Sequence, residues 1–456
     1  MAKAGYQNGL TIVTPISEGR MDALRDTLQV IEDDVEENDL VPLSSCERIH
    51  FARWIILEAS TDATGRPTPA VLIFSTNFDA PLAAHLDELY EHGASGLDRI
   101  YSCCDGYPGP HERTKTRVLQ YLRDREAGYN TLYVGTRGLT VPRIRREAEL
   151  RDAIEGFLDD RITQPDFLEQ QPGAIREAIR AFVQGRDDLR WAMEAPPEPR
   201  RFWPTSKDAW IAIAVLVVVG APIGFGIATS PSTGWATFGA LLGVVAVVLA
   251  AGAAVLRYKE KRDRQDPATT NFEHVASLLE REDVRSEGRP IVQNQMSSVT
   301  NIKIGWFRRT LLRGVLAAID VAGRYIYTKG KLGSIPSIHF ARWVVIDGGR
   351  RLLFFSNFDG SWENYLGDFI DKAASGLTAV WSNTDGFPRS RWLVGDGATD
   401  EQRFKAYARN SQTITEVWYS AYKYLSVQNI NNNAQLRAGL VGSQTEEDTA
   451  AWLRRF

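Results

Sequence analysis

The sequence predicts an α+β protein: two β-α-β-β-α-β repeats, each followed by a helix, closed on each other as an intramolecular pseudo-dimer, with a transmembrane helical hairpin inserted between them. Three observations lead there. The hexapeptide Ile49-His50-Phe51-Ala52-Arg53-Trp54 recurs unchanged as Ile338-His339-Phe340-Ala341-Arg342-Trp343. Downstream, residues 77–108 align without gaps to 357–388. Between the copies stand two uncharged stretches, 209–228 and 235–256. At about 1.5 Å per residue each spans roughly 30 Å, the thickness of a bilayer's hydrocarbon core.

In chain order, Leu10 to Ile16 is a β-rich run and Met21 to Glu37 has helical periodicity. Ile49 to Leu57 and Ala70 to Phe74 read as strands. The offset between the copies falls from 289 to 280 across them, so the first copy holds nine extra residues. These lie at Thr61 to Pro69, whose composition suits a hairpin loop. Pro81 to Leu97 is helical, Thr131 to Gly135 is a last strand, and a helix begins near Pro142. The second copy repeats the order: Val299 to Ile302, Trp306 to Ile326, Ile338 to Ile346, Leu352 to Phe355, Trp362 to Leu377 and Thr415 to Tyr419. This is the ferredoxin-like arrangement. Its sheet has one helix-covered face and one open apolar face, so two copies are expected to pack sheet to sheet. The division that follows is 1–160 for the first repeat, 161–207 for a charged helical linker, 208–258 for the hairpin, 259–292 for a linker with a short helix, and 293–456 for the second repeat.

The flanks of the hairpin set its orientation. Arg200, Arg201 and Lys207 precede it, and Arg257, Lys259, Lys261, Arg262 and Arg264 follow it, while the return loop at 229–234 is uncharged. Positive residues favour the cytoplasmic side, so both repeats and both termini are expected there, with the lipid bilayer as partner through 209–228 and 235–256. No ionisable residue interrupts either stretch, which points to an anchor rather than a transporter.

Composition narrows the remaining classes. At 44% hydrophobic and 24% charged, the 456-residue chain is neither disordered nor collagen-like. Lysine plus arginine is 53 against 57 acidic residues, a net charge of -4, so the basic excess of a general nucleic-acid binder is missing and no nucleic-acid partner is expected. The only cysteines are Cys46, Cys103 and Cys104, which suggest neither a disulfide framework nor zinc spacing. Reduced thiols in the cytoplasm are expected. The first nine residues lack the apolar core of a signal peptide.

The duplicated polar residues are the candidates for chemistry. Strand alternation places His50 with Ala52 and Trp54, and Arg53 with Ile49 and Phe51. His50 and His339 are then either hydrogen-bonded structural residues or one cofactor ligand or general base per copy. Arg53 and Arg342 suit buried ion pairs with Asp79 and Asp359, or an anionic group. The segments Asn77-Phe78-Asp79-Ala80 and Asn357-Phe358-Asp359-Gly360 stand between a strand and a helix. Asp79 and Asp359 are therefore placed to cap the helix that follows, with acid–base work the functional alternative. Asp105-Gly106 and Asp385-Gly386 read as turns. His85, Glu88 and His92 share one helix face, but their counterparts are Tyr365, Asp368 and Lys372, so no metal site is expected. Phosphate-binding loops, dinucleotide fingerprints and nucleophile elbows are absent from the sequence.

The double β-α-β-β-α-β pattern resembles the dimeric α/β-barrel superfamily, which includes dye-decolorising peroxidases, chlorite dismutases and small monooxygenases. Those peroxidases carry a G-x-x-D-G motif whose aspartate works beside haem. The nearest match here is Ser356-Asn357-Phe358-Asp359-Gly360, and Thr76-Asn77-Phe78-Asp79-Ala80 departs twice. No proximal haem histidine carries over, because no histidine follows Leu377. Two functional expectations result. One is a membrane-anchored cytoplasmic binding or interaction protein with a duplicated barrel, its ligand unnamed, with a small apolar ligand and homo-oligomerisation left open. The other, implied by the resemblance, is a haem-dependent oxidoreductase or monooxygenase acting on a small apolar substrate. It would use His50 or His339 as axial ligand, Asp79 or Asp359 as acid–base, and Arg53 or Arg342 as stabiliser.

Overall fold

The computed structural model describes residues 7–196, 231–265, 268–284, 292–325 and 335–456. The first copy runs β1 (Gln7–Pro15), α1 (Met21–Asp33), β2 (Ile49–Leu57), β3 (Val71–Asp79), α2 (Leu82–Tyr101), α3 (Lys115–Asp124), β4 (Thr131–Val134) and α4 (Val141–Ile162). Between the copies lie α5 (Pro172–Gly185), α6 (Pro231–Arg262) and α7 (Phe272–Val284). The second copy follows as β5 (Gln293–Asn301), α8 (Trp306–Tyr325), β6 (Ile338–Ile346), β7 (Arg351–Asp359), α9 (Trp362–Trp381), α10 (Glu401–Ser411), β8 (Val417–Ser420), α11 (Val427–Gly439) and α12 (Glu446–Leu453).

These strands form two antiparallel sheets of order β1-β3-β2-β8 and β4-β6-β7-β5. Each sheet takes its fourth strand from the other copy. Val417 pairs with Trp54 and Ser420 with Phe51, while Thr131 pairs with Trp343 and Val134 with Phe340. Element order alone does not choose the edge on which a short, fully buried strand adds, so the exchange goes beyond the expected repeat-by-repeat reading.

Alternation divides each sheet between two cores. Ala52, Trp54, Ile56, Leu72 and Phe74 face α1 and α2, where Leu24, Leu28, Leu86 and Leu89 cover them. The opposite face meets the other sheet: Ile55, Leu57, Val71 and Ile73 pack on Val344, Ile346, Leu353 and Phe355. Farther along, Phe51, Leu132, Val134, Phe340, Trp418 and Tyr422 close the same seam.

Two sequence-based boundaries shift. β3 and β7 continue through Asn-Phe-Asp, which therefore ends a strand instead of bridging strand to helix. The apolar run stops early because Ser75 and Asn77 serve a buried polar seam between the sheets. Residues 172–193 are also more than a linker. Ile179 and Val183 of α5 join Leu150 and Ile154 of α4, Leu436 of α11 and Trp452 of α12 in a further core. An amphipathic helix with an apolar stripe this regular needs a partner surface, and the paired C-terminal helices of the two copies provide it.

The membrane reading is corrected. Among the described residues, no helix is long and apolar enough to cross a membrane. The stretch 209–228 lies outside the described residues. The second stretch belongs to α6, which runs on into Arg257, Lys259, Glu260, Lys261 and Arg262. The expected transmembrane hairpin and the integral-membrane placement, with the bilayer contact they implied, are therefore not supported by the structure. The charged end of α6 instead docks on the second copy. Buried Glu260 accepts hydrogen bonds from Ser390 Oγ (3.0 Å), Trp392 N (3.0 Å) and Leu393 N (2.7 Å).

Candidate functional site

The duplicated residues converge where the two sheets meet. A β-bulge between Ile49 and Phe51 leaves His50 unpaired in the ladder, and its equivalent lies between Ile338 and Phe340. The extra residue breaks alternation, so His50 joins Phe51 on the inter-sheet side rather than Ala52 and Trp54. Both imidazoles are fully buried.

His50 Nε2 lies 3.0 Å from Asp79 Oδ1, and its Nδ1 lies 2.7 Å from Tyr422 Oη. In the second copy His339 Nε2 lies 2.6 Å from Asp359 Oδ1, and Nδ1 has no partner. Each aspartate spends its other oxygen on a helix start: Asp79 Oδ2 accepts from Val141 N of α4 and Asp359 Oδ2 from Val427 N of α11, both at 2.8 Å. The aspartates thus cap a helix, but the distant C-terminal one. The nearby helix α2 begins after Pro81 with no side-chain cap, and α9 is capped by Ser361. A carboxylate at a helix N-terminus also gains from the helix dipole.

Burial, with Asp79 and Asp359 nearby, holds the Tyr422 hydroxyl well above its ordinary pKa. It stays protonated and donates to His50 Nδ1, while Nε2–H donates to Asp79. Thr136 takes Tyr422's place in the other copy. Gln7 Nε2 donates to Thr136 O and Leu139 O as Gln293 Nε2 donates to Tyr422 O and Leu425 O. Thr136 Oγ1 is buried without a partner. Nothing in the duplicated motifs signals Tyr422. Only the match of Leu139 with Leu425, carried back three residues, pairs it with Thr136.

The arginines do not pair with the aspartates. Arg53 crosses to the opposite sheet, where Nη1 donates to Gln295 Oε1 (3.1 Å), Met296 O (3.1 Å) and Ser297 Oγ (3.0 Å), and Nη2 donates to Ser356 O (3.3 Å) and Asn357 Oδ1. Arg342 crosses the other way to Thr76 O (2.9 Å) and Ser75 Oγ. Both guanidiniums lie 5.5 Å from the centre of the Phe355 ring. Two like charges meet here with carbonyls and hydroxyls as their acceptors, and burial pushes Arg342 down to about 9. Gly9 is needed opposite it, because a Cβ there would run into Arg342 Nη1.

His85 belongs to the outer core. It stacks on Phe78 at 4.2 Å and bonds Thr76 Oγ1 at 2.9 Å, as Tyr365 stacks on Phe358 and donates to Ser356 Oγ at 2.6 Å. Burial pushes His85 down to about 3. Glu88 accepts from Glu47 N and Arg48 N, and His92 is exposed. Among the described residues no group of three or more His, Cys, Asp or Glu is placed to hold a metal ion.

The residues present do not fit haem. His50 has both ring nitrogens engaged and Phe340 and Tyr422 against its ring, with centroids at 5.2 and 5.7 Å. His339 keeps one free nitrogen, but its ring is fully buried among Phe51 and Tyr422, with centroids at 5.4 and 6.0 Å. An axial bond to iron needs room for a macrocycle beside the nitrogen, and aromatic packing fills that space. No family model matches the sequence, and neither a curated protein nor a solved structure matches it.

Proposed function

We propose that this chain is a binding and interaction module without a redox centre, built on a duplicated α/β sandwich akin to the dimeric α/β barrels. One observation carries the reading. The polar residues that repeat between the copies are spent inside the core: His50 on Asp79 and Tyr422, the aspartates on helix starts, the arginines on the opposite sheet. A catalytic set must meet substrate, and these atoms meet only the protein. The binding surfaces then lie outside the seam, where the copies differ in sequence.

The test is the visible absorption spectrum of the purified protein with and without added haemin. The reading expects no protein-dependent band. An intense haem band that shifts or vanishes in His339→Ala or His50→Ala would overturn it in favour of the oxidoreductase.

A further inference from the structure

A cleft of about 690 Å3 lies at the outer end of the second copy. Its walls are the last turns of α6, the loop from β5 into α8, the first turn of α8, the Asp385-Gly386 turn and Ala63 from the inserted loop of the first copy. Lys259, Arg262, Arg264, Lys303 and Arg308 line it against only Asp263 and Asp385, an excess of three positive charges.

At the floor a single carboxylate oxygen serves two cations. Asp263 Oδ2 lies 2.7 Å from Lys303 Nζ and 2.6 Å from Arg308 Nη2. Burial pushes the Lys303 ammonium below its ordinary pKa despite this contact. Arg308 is only 1% exposed, and its Nη1 has no partner among the described residues. An unmet donor on a buried charge is costly. The placement is also against the helix dipole, since Arg308 stands in the first turn of the 20-residue α8, which has no acidic residue there.

The first copy shows that the fold does not require this arrangement. By the register of β1 and β5, Ser17 occupies the place of Lys303, and the third position of α1, which answers to Arg308 in α8, is the exposed Ala23. Ser17 Oγ donates to Asp105 Oδ1 at 2.6 Å, and Asp22 lies in the first turn of α1, where the dipole favours it. The two cations stand only in the copy on which α6 docks.

We propose that this cleft binds a phosphate-bearing small molecule, with Lys303 and Arg308 holding the phosphate at the floor and Lys259 and Arg262 closing on it from α6. A helix N-terminus, a buried guanidinium with one unmet nitrogen and an ammonium match an oxyanion carrying more than one charge. The inference rests on the binding-module reading and gives it a ligand class.

Calorimetric titration of the whole protein with inorganic pyrophosphate at low salt tests it. Saturable one-to-one binding is expected, weakened about tenfold or more in Arg308→Gln, the scale of a lost charged hydrogen bond. Arg262→Gln, at an exposed rim position that folding does not need, should weaken binding several-fold, and it stands in if Arg308→Gln fails to fold. No binding by the unaltered protein at millimolar pyrophosphate, or equal binding by the folded variants, would overturn the proposal. Should that happen while haemin leaves the spectrum unchanged, the cleft is lost and the module reading survives. A haem band removes the module reading whatever pyrophosphate does.

Discussion

Replacing Tyr422 by phenylalanine probes the seam without opening it. The ring that packs edge-on against Phe51 at 5.5 Å and His50 at 5.7 Å remains, so no cavity forms. Only the hydroxyl leaves, and with it the 2.7 Å bond to His50 Nδ1. The nitrogen is then fully buried without a partner, which costs about 1–3 kcal/mol. Thr136 at the matching position supplies the control. Its hydroxyl is buried and unpartnered, so Thr136→Val removes an unmet polar atom at nearly constant shape and should change stability by less than about 0.5 kcal/mol, or raise it. Urea unfolding followed by tryptophan fluorescence gives both values from midpoint and slope. A neutral Tyr422→Phe, or equal losses in the two variants, would refute the assignment of donor and acceptor across the seam.

Two further outcomes follow from buried titratable groups. His85 has a folded pKa near 3, below the ordinary 6.5, so the unfolded chain takes up a proton that the folded one refuses. Stability should therefore fall as pH drops from about 6.5, by at most about 1.4 kcal/mol per unit, and His85→Tyr, which installs the residue of the other copy, should flatten that slope; an unchanged acid branch counts against it. Glu260 holds the hairpin Ser390–Asp396, where Trp392 and Leu393 adopt φ of 54° and 70°, a left-handed backbone costing about 1–2 kcal/mol per residue outside glycine. Burial alone would raise its pKa, but the bonds from Leu393, Arg257, Trp392 and Ser390 outweigh this and hold it below the usual value. The latch is then intact at neutral pH and lost as pH falls through that lowered value. Glu260→Gln should speed tryptic cleavage after the exposed Arg391 about tenfold, and equal digestion rates would dismiss the latch.

Much of the scaffold could be read from residues alone because duplication is a sequence property. The repeated hexapeptide located β2 and β6, and the nine-residue insertion fell at the Thr61–Pro69 turn, where Asp62 N bonds Arg66 O. What escaped was non-local. The bulge that turns His50 inward depends on pairing with β3. The exchange of β4 and β8 depends on which edge is free, and Arg53 finds its acceptors 242 or more residues away. The expected span rested on hydropathy, which weighs composition and gives no sign that α6 continues past Leu256 into a charged end whose buried Glu260 docks on the second copy.

The exchanged edge strands turn the duplicated chain into a molecular clasp. Neither half can be finished by its own residues, so a fragment ending before β5 would leave β2 with an open hydrogen-bonding edge and β4 with nothing to lie against. The two halves are therefore inheritable only as a pair, and the earlier must wait for the later to be synthesised before its sheet is complete. A cut anywhere between α5 and β5 would separate the covalent chain without separating the protein, because each piece would still hold a strand belonging to the other.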